Sequence, residues 1–139
     1  MGVRKTIAVA NMLVINDKKH VLLLQRSKNL NNSGLWGMPG GLVDDGENPM
    51  QASLRELGEE TSIMPDEVKV HEVTERLEHN ELEDVFITTT VCDLLVDKEI
   101  IINDYEHVAF KWMTIEDLVS YELMTGVADL IISTLKVKN

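Results

Sequence analysis

Residues 55–63 read RELGEETSI and place Glu56, Glu59 and Glu60 within five positions of one another. On a helix of about 100° per residue, Glu56 and Glu60 lie about 40° apart, and Glu56 and Glu59 about 60°. Like charges so close repel. The segment must therefore fold where solvent or a cation relieves them. Arg55 is the cation at hand, four residues before Glu59 and placed to pair with it. Met50, Leu54 and Leu57 recur at helical spacing and point more than about 90° away from the carboxylates. The spacing predicts a helix over 49–61, with Pro49 in its first turn. One face is for the core and the other carries converging carboxylates. Hard divalent cations take oxygen ligands, so such a face suits half a metal shell. A solvated acidic face is the reading that this helix alone leaves open.

The residues upstream narrow the choice. Gly40 and Gly41 follow Pro39, and adjacent glycines let the backbone approach a ligand and expose a carbonyl. Glu47 stands at the mouth of the helix. From Gly41 to Ile63 the chain reads G-x5-E-x7-R-E-L-x-E-E-x-S-I. This resembles the box of the Nudix hydrolases, G-x5-E-x7-R-E-U-x-E-E-x-G-U with U apolar. Eight of the nine specified positions match: Gly41, Glu47, Arg55, Glu56, Leu57, Glu59, Glu60 and Ile63. LWGMPGG before the box is also similar to the family. Ser62 replaces the second glycine, which closes the helix in a left-handed conformation. There serine costs about 1 kcal/mol if the backbone is unchanged. Gly58, at an unspecified position, weakens the helix by about 1 kcal/mol relative to alanine and suggests tight packing.

The resemblance implies a divalent-metal-dependent hydrolase that cleaves a phosphoanhydride in a nucleoside diphosphate derivative. By it, Glu56 and Glu60 are the main metal ligands, Glu59 is a further ligand or base, and the Gly40 carbonyl completes the protein shell. Arg55 and Glu47 hold the carboxylates in place. The metal is Mg²⁺, with Mn²⁺ as a substitute. Short members often release a monophosphate and pyrophosphate from (d)NTPs; ADP-ribose, dinucleotide polyphosphates and nucleotide sugars remain open. Members place the general base differently. Glu106, just before a predicted strand, is the candidate here, ahead of Glu81, Glu83 and Asp84. Arg26 and Lys28 are expected to meet phosphates, Gly41 to line the substrate site, and Trp36 either to stack on a base or to pack its loop. A homodimer is a frequent assembly in the family.

The remaining pattern agrees with a small α/β (α+β) domain over residues 1–139, the box occupying 41–63. Segments 6–15 and 20–26 read as a strand hairpin around NDKK, and 27–41 as a long loop. Segments 68–79, 84–96 and 107–113 read as strands. Thr114 and Asp117 form a capping pair for a short helix, and a last helix is expected over 123–137. This order predicts a mixed sheet flanked by helices, and the resemblance makes it an α/β/α sandwich.

A formal charge of −11 with no basic stripe argues against nucleic-acid binding, mRNA decapping included. It does not oppose a small phosphorylated substrate whose charge a cation offsets. Apolar runs stay at strand length, no leader is expected, and Cys92 is the single cysteine, so the expectation is a soluble cytoplasmic protein off the membrane. Cys92 and Trp112 are expected in the core, as are the scattered methionines. The four histidines, His20, His71, His79 and His107, share no metal-ligand spacing and are expected at the surface or hydrogen-bonded. Two other classes fit the sequence less well. A non-catalytic nucleotide-binding regulator would be expected to have lost a catalytic glutamate, and none is lost. A calcium-binding protein would need the D-x-[DN]-x-[DN]-G loop, which the chain lacks.

Overall fold

Strand β1 (Lys5–Ile15) ends in four consecutive residues, Met12 to Ile15, that are 1% exposed or less. A run buried on both faces needs a layer on each side, because successive strand residues point to opposite faces. The computed structural model, which describes residues 3–137, shows both layers. Leu13 and Ile15 pack with Val127, Ile131 and Leu135 of helix α2 (Val127–Val137). Met12 and Val14 pack with Leu57 of helix α1 (Pro49–Thr61) and with Ile63 and Cys92. One mixed sheet between two helices is the expected α/β/α sandwich. Burial pushes the Cys92 thiol up to about 12, as befits a core residue. Met1, Gly2, Lys138 and Asn139 lie outside the described residues.

The sheet has seven strands: β1, β2 (Val21–Arg26), β3 (Trp36–Gly37), β4 (Gly40–Leu42), β5 (Val68–His79), β6 (Glu83–Leu94) and β7 (His107–Met113). β1 runs parallel to β6 along its whole length, and β5 and β6 form an antiparallel hairpin. The hairpin expected between β1 and β2 is reduced to one pair, Ile15 with Val21. A strand edge takes one partner per position, and other strands claim these edges. β4 occupies β1 at Val9–Asn11 and β3 occupies β2 at Leu24–Gln25, while β7 lies along the other edge of β2. The 27–41 segment accordingly contains two short strands rather than loop alone.

Helix α1 starts where the sequence predicts. Asn48 accepts from the Gln51 N–H at 2.8 Å, and the Gln51 side chain accepts from the Asn48 N–H at 2.9 Å. Its buried face differs from the expected stripe. Ala52, Ser53, Leu57, Glu60 and Thr61 are buried, whereas Met50 and Leu54 are half-buried. The carboxylate face is thus turned partly towards the sheet. Ser62 ends the helix at φ 69°, and its N–H donates to the Gly58 carbonyl at 3.0 Å. Serine therefore accepts the left-handed geometry rather than rerouting the loop. Tight packing does not explain Gly58, because a Cβ there would meet only the Ile63 carbonyl oxygen at 3.7 Å.

Helix α2 begins four residues later than the expected 123. Met124 N–H donates to the Trp36 carbonyl, which keeps that segment extended beside β3, and Gly126 turns the chain at φ 83°. The expected capping pair is present: Thr114 N–H donates to Asp117, and Asp117 N–H to Thr114 Oγ1, ahead of a 3-10 turn at Glu116–Ser120.

Candidate active site

Arg55 reaches across the mouth of α1 and ties the box together. Its Nε donates to Glu47 at 2.8 Å and one terminal nitrogen to Glu56 at 2.9 Å. The expected Glu59 contact is longer, 3.4 Å, so Glu47 and Glu56 are its main partners. The Glu47 bond, then that of Glu56, holds the guanidinium above its ordinary range against partial desolvation. In return Arg55, with the Asp44 N–H, holds the Glu47 carboxyl below its usual range. The clamp fixes Glu56 in one orientation.

Two glycines seat the carboxylates. The Gly40 N–H donates to Glu60 Oε1 at 2.9 Å. A Cβ on Gly41 would lie 2.7 Å from Glu56 Oε1, so only glycine leaves that carboxylate its place. A Cβ on Gly40 would overlap the Ala10 carbonyl and Asn11 on β1. Glu60 is 2% exposed. Burial pushes its carboxyl up to about 9; the Gly40 bond opposes this, and Glu56 and Glu106 add to it. Glu59 lies apart, with its side chain 55% exposed. The three glutamates of α1 thus occupy three environments: buried, clamped and solvated.

The start of β7 adds two groups. Glu106 and His107 each bring a ligand atom within 4.8 Å of the other and of Glu60, so these three residues could hold a divalent cation. Burial raises the Glu106 carboxyl, with Glu56 and Glu59 adding and Arg26 opposing. His107 is 4% exposed, and burial followed by Arg26 pushes its imidazole down to about 4. Its Nδ1 has no hydrogen-bond partner. The expectation of a surface or hydrogen-bonded histidine fails here. It holds for His71 on Asp93 and His79 on Asp84. Two observations favour a cation at this cluster: crowded carboxyls that repel without one, and a buried nitrogen lacking a partner.

Beside the cluster a cavity of about 280 Å³ is lined by Val9, Asn11, Arg26, Met38, Gly40 and Gly41, among others. Arg26 is half-buried there, its Nε donating to the Asn31 carbonyl at 2.6 Å. Burial lowers its guanidinium, and Glu60 and Glu106 oppose that shift. Lys28 is exposed and does not line the cavity. Trp36 is not brought to it either: it is 8% exposed and packs edge-on against Tyr121, ring centroids 5.3 Å apart, in the core beside α2. Base stacking by Trp36 is thereby overturned in favour of packing. Trp112 is half-buried against the α1-side core and lines a separate cavity of about 440 Å³ by the β1–β2 turn, with Lys98 and Asn16. Asp84 is engaged by Arg4 and His79 at the β5–β6 turn, whose strand β6 meets the far end of β1 from Gly40.

Comparison with known proteins agrees with this arrangement. The profile of the NUDIX domain family matches residues 4–133. Nudix hydrolase 6 of Arabidopsis thaliana is 36% identical over 114 residues, covering 77% of this chain and 38% of its own. The crystal structure of the MutT protein from Methanosarcina mazei Go1 superposes with a TM-score of 0.80 at 25% identity, covering 100% of this chain and 99% of that one. The Ap4A hydrolase of C. elegans, in a binary complex, gives a TM-score of 0.80 at 22% identity, over 96% and 99% of the two chains. Among the curated relatives it matches first, this chain spans between 11% and 54% of their length. No helix among the described residues is long and apolar enough to cross a membrane.

Proposed function

The chain belongs to the Nudix hydrolase (MutT-like) family, and from that premise we propose that it is a Mg²⁺-dependent pyrophosphohydrolase of a nucleotide. The observation that carries this reading is the joint placement of Glu56, Glu60 and Glu106 beside Gly40 and Gly41 of β4. Glu56, Glu60 and the Gly40 carbonyl would hold the ion, with Glu59 at the solvent side. When bound, a divalent cation offsets phosphate charge and lowers the pKa of its water.

The protein's own groups supply the rest. Arg55 keeps the Glu56 carboxylate oriented, and the Gly40 N–H does the same for Glu60. Arg26 is the cation facing Glu60 and Glu106 from the cavity wall, where a phosphate charge would meet it. Glu106 suits a general base, because its carboxylate stands within reach of Glu60 and the ion site. It would take the proton of the attacking water on the carboxylate oxygen left free of the ion, as the new P–O bond forms and the anhydride P–O bond breaks.

The favoured substrate is an NTP or dNTP, giving a monophosphate and pyrophosphate. The names of the relatives support a nucleotide without choosing one: they include an 8-oxo-dGTP diphosphatase and an RNA pyrophosphohydrolase. ADP-ribose, dinucleotide polyphosphates and nucleotide sugars are the second reading, since the cavity selects the group beyond the phosphates. The test is a substrate panel spanning these classes, each with Mg²⁺ and with EDTA, read by product chromatography. Metal-dependent pyrophosphate release from an NTP is expected, with Glu60→Gln losing turnover by orders of magnitude while folding is kept. Near-normal turnover in that variant removes the Glu60 assignment.

A further inference from the structure

His107 is the one neighbour of the carboxylates that the reaction above leaves unused. Its Nδ1 is buried and without a hydrogen-bond partner, an arrangement that costs about 1–3 kcal/mol if nothing meets it. A ring nitrogen lies within 4.8 Å of carboxylate oxygens from both Glu60 and Glu106. Ligands about 2.1 Å from one ion stand about 3–4 Å apart, so small side-chain adjustments bring all three onto a shared cation. Consecutive strand residues point to opposite faces and do not converge. Here Glu106 closes the turn before β7 and only His107 obeys the pleat. The turn is fixed: the His107 N–H donates to the Asn103 carbonyl at 2.9 Å, and the Asn103 side chain donates to Glu106 at 3.3 Å.

We propose that His107 supplies a nitrogen ligand to the cation held by Glu60 and Glu106, and that the site therefore favours a transition ion such as Mn²⁺ over Mg²⁺. Mg²⁺ takes oxygen ligands and sheds water reluctantly. Imidazole suits transition ions such as Fe²⁺ and Ni²⁺ best, and Mn²⁺, although it shares the preference for carboxylates, admits a nitrogen among them more readily than Mg²⁺. The inference rests on the metal-dependent reading above and names the ion that reading left as Mg²⁺.

The metal-free protein is titrated with Mn²⁺ alone and with Mg²⁺ alone, and bound Mn²⁺ is examined by pulsed electron paramagnetic resonance. Repeating this with ¹⁵N-histidine assigns any nitrogen coupling to imidazole. One histidine coupling is expected, since His107 is the histidine of the cluster among the described residues. His107→Gln should abolish it, raise the Mn²⁺ Kd about tenfold or more and change the Mg²⁺ Kd far less. The wild-type spectrum stands whether or not that variant folds. Mn²⁺ bound without nitrogen coupling overturns the proposal and leaves the metal-dependent reading intact. No binding of either ion overturns both.

Discussion

Alanine at Gly40 and at Gly41 should damage different things, although the two residues are adjacent. At Gly41 the new Cβ falls 2.7 Å from Glu56 Oε1 and 2.8 Å from Cδ. A relaxed carbon–oxygen contact is about 3.3 Å, so the carboxylate must retreat by about 0.6 Å. Metal–ligand distances tolerate about 0.2 Å, a third of that displacement. Glu56 cannot swing freely, because Arg55 holds it at 2.9 Å and is itself held by Glu47. The divalent-ion Kd should therefore rise about 10–100-fold, as when a ligand's orienting contacts are lost. Stability should fall by only about 1 kcal/mol, since what yields is the end of one side chain. At Gly40 the Cβ overlaps the Ala10 carbonyl and Asn11, where β4 pairs with β1. Backbone cannot yield so locally, and overpacking of about 3 kcal/mol is expected in addition to weaker metal binding. Urea unfolding without metal and isothermal titration with Mn²⁺ separate the two effects. A Gly41→Ala protein that binds metal like wild type, or loses more stability than Gly40→Ala, refutes the reasoning.

Two further outcomes concern the same helix. Gly58→Ala should stabilise the protein by about 0.5–1 kcal/mol and raise Tm by about 2–4 °C, because the Cβ meets nothing closer than 3.7 Å; an unchanged or lowered Tm in a thermal scan counts against it. In EDTA, stability should fall as pH rises from about 6.5 to about 9, measured by urea unfolding. The sign follows from Glu60, whose folded value of about 9 exceeds its unfolded 4.5: its contribution is complete below 4.5 and is lost as pH climbs through 9. His107 has the opposite sign, its folded value of about 4 lying below 6.5, so its contribution is present above 6.5 and is lost towards pH 4. It therefore does not disturb the upper window. Glu60→Gln should flatten that window, and a wild-type profile identical to the variant's sinks the assignment.

What could be read in the chain beforehand was whatever local spacing dictates. Pro49 and the 3.6-residue period specify the helix, the resemblance to the family box supplies the Glu47–Arg55 clamp, and the structure keeps both. What escaped depends on partners far along the chain. Trp36 packs because Tyr121 lies against it, and helix α2 starts late because Met124 bonds to Trp36. The β1–β2 hairpin shrinks to one pair because β4 and β3 claim the two facing edges. His107 is buried through the pairing of β7 with β2, where it lies opposite Arg26 across an irregular register. No interval between histidines could reveal that.

The glycines show how fold and site become one constraint. Gly40 lets β4 lie against β1, and its N–H, fixed there, holds Glu60. Gly41 leaves Glu56 the space beside that strand. Glu60 is thereby buried, and a buried carboxylate among others keeps its charge only if something positive meets it. Arg55 answers this for Glu56 and Glu47 but makes no hydrogen bond or ion pair with Glu60 among the described residues. Arg26 faces Glu60 without pairing with it and lines the cavity together with Arg76. Glu60 is thus left with a single backbone donor, two acidic neighbours and an imidazole short of a partner, a set that a divalent cation completes.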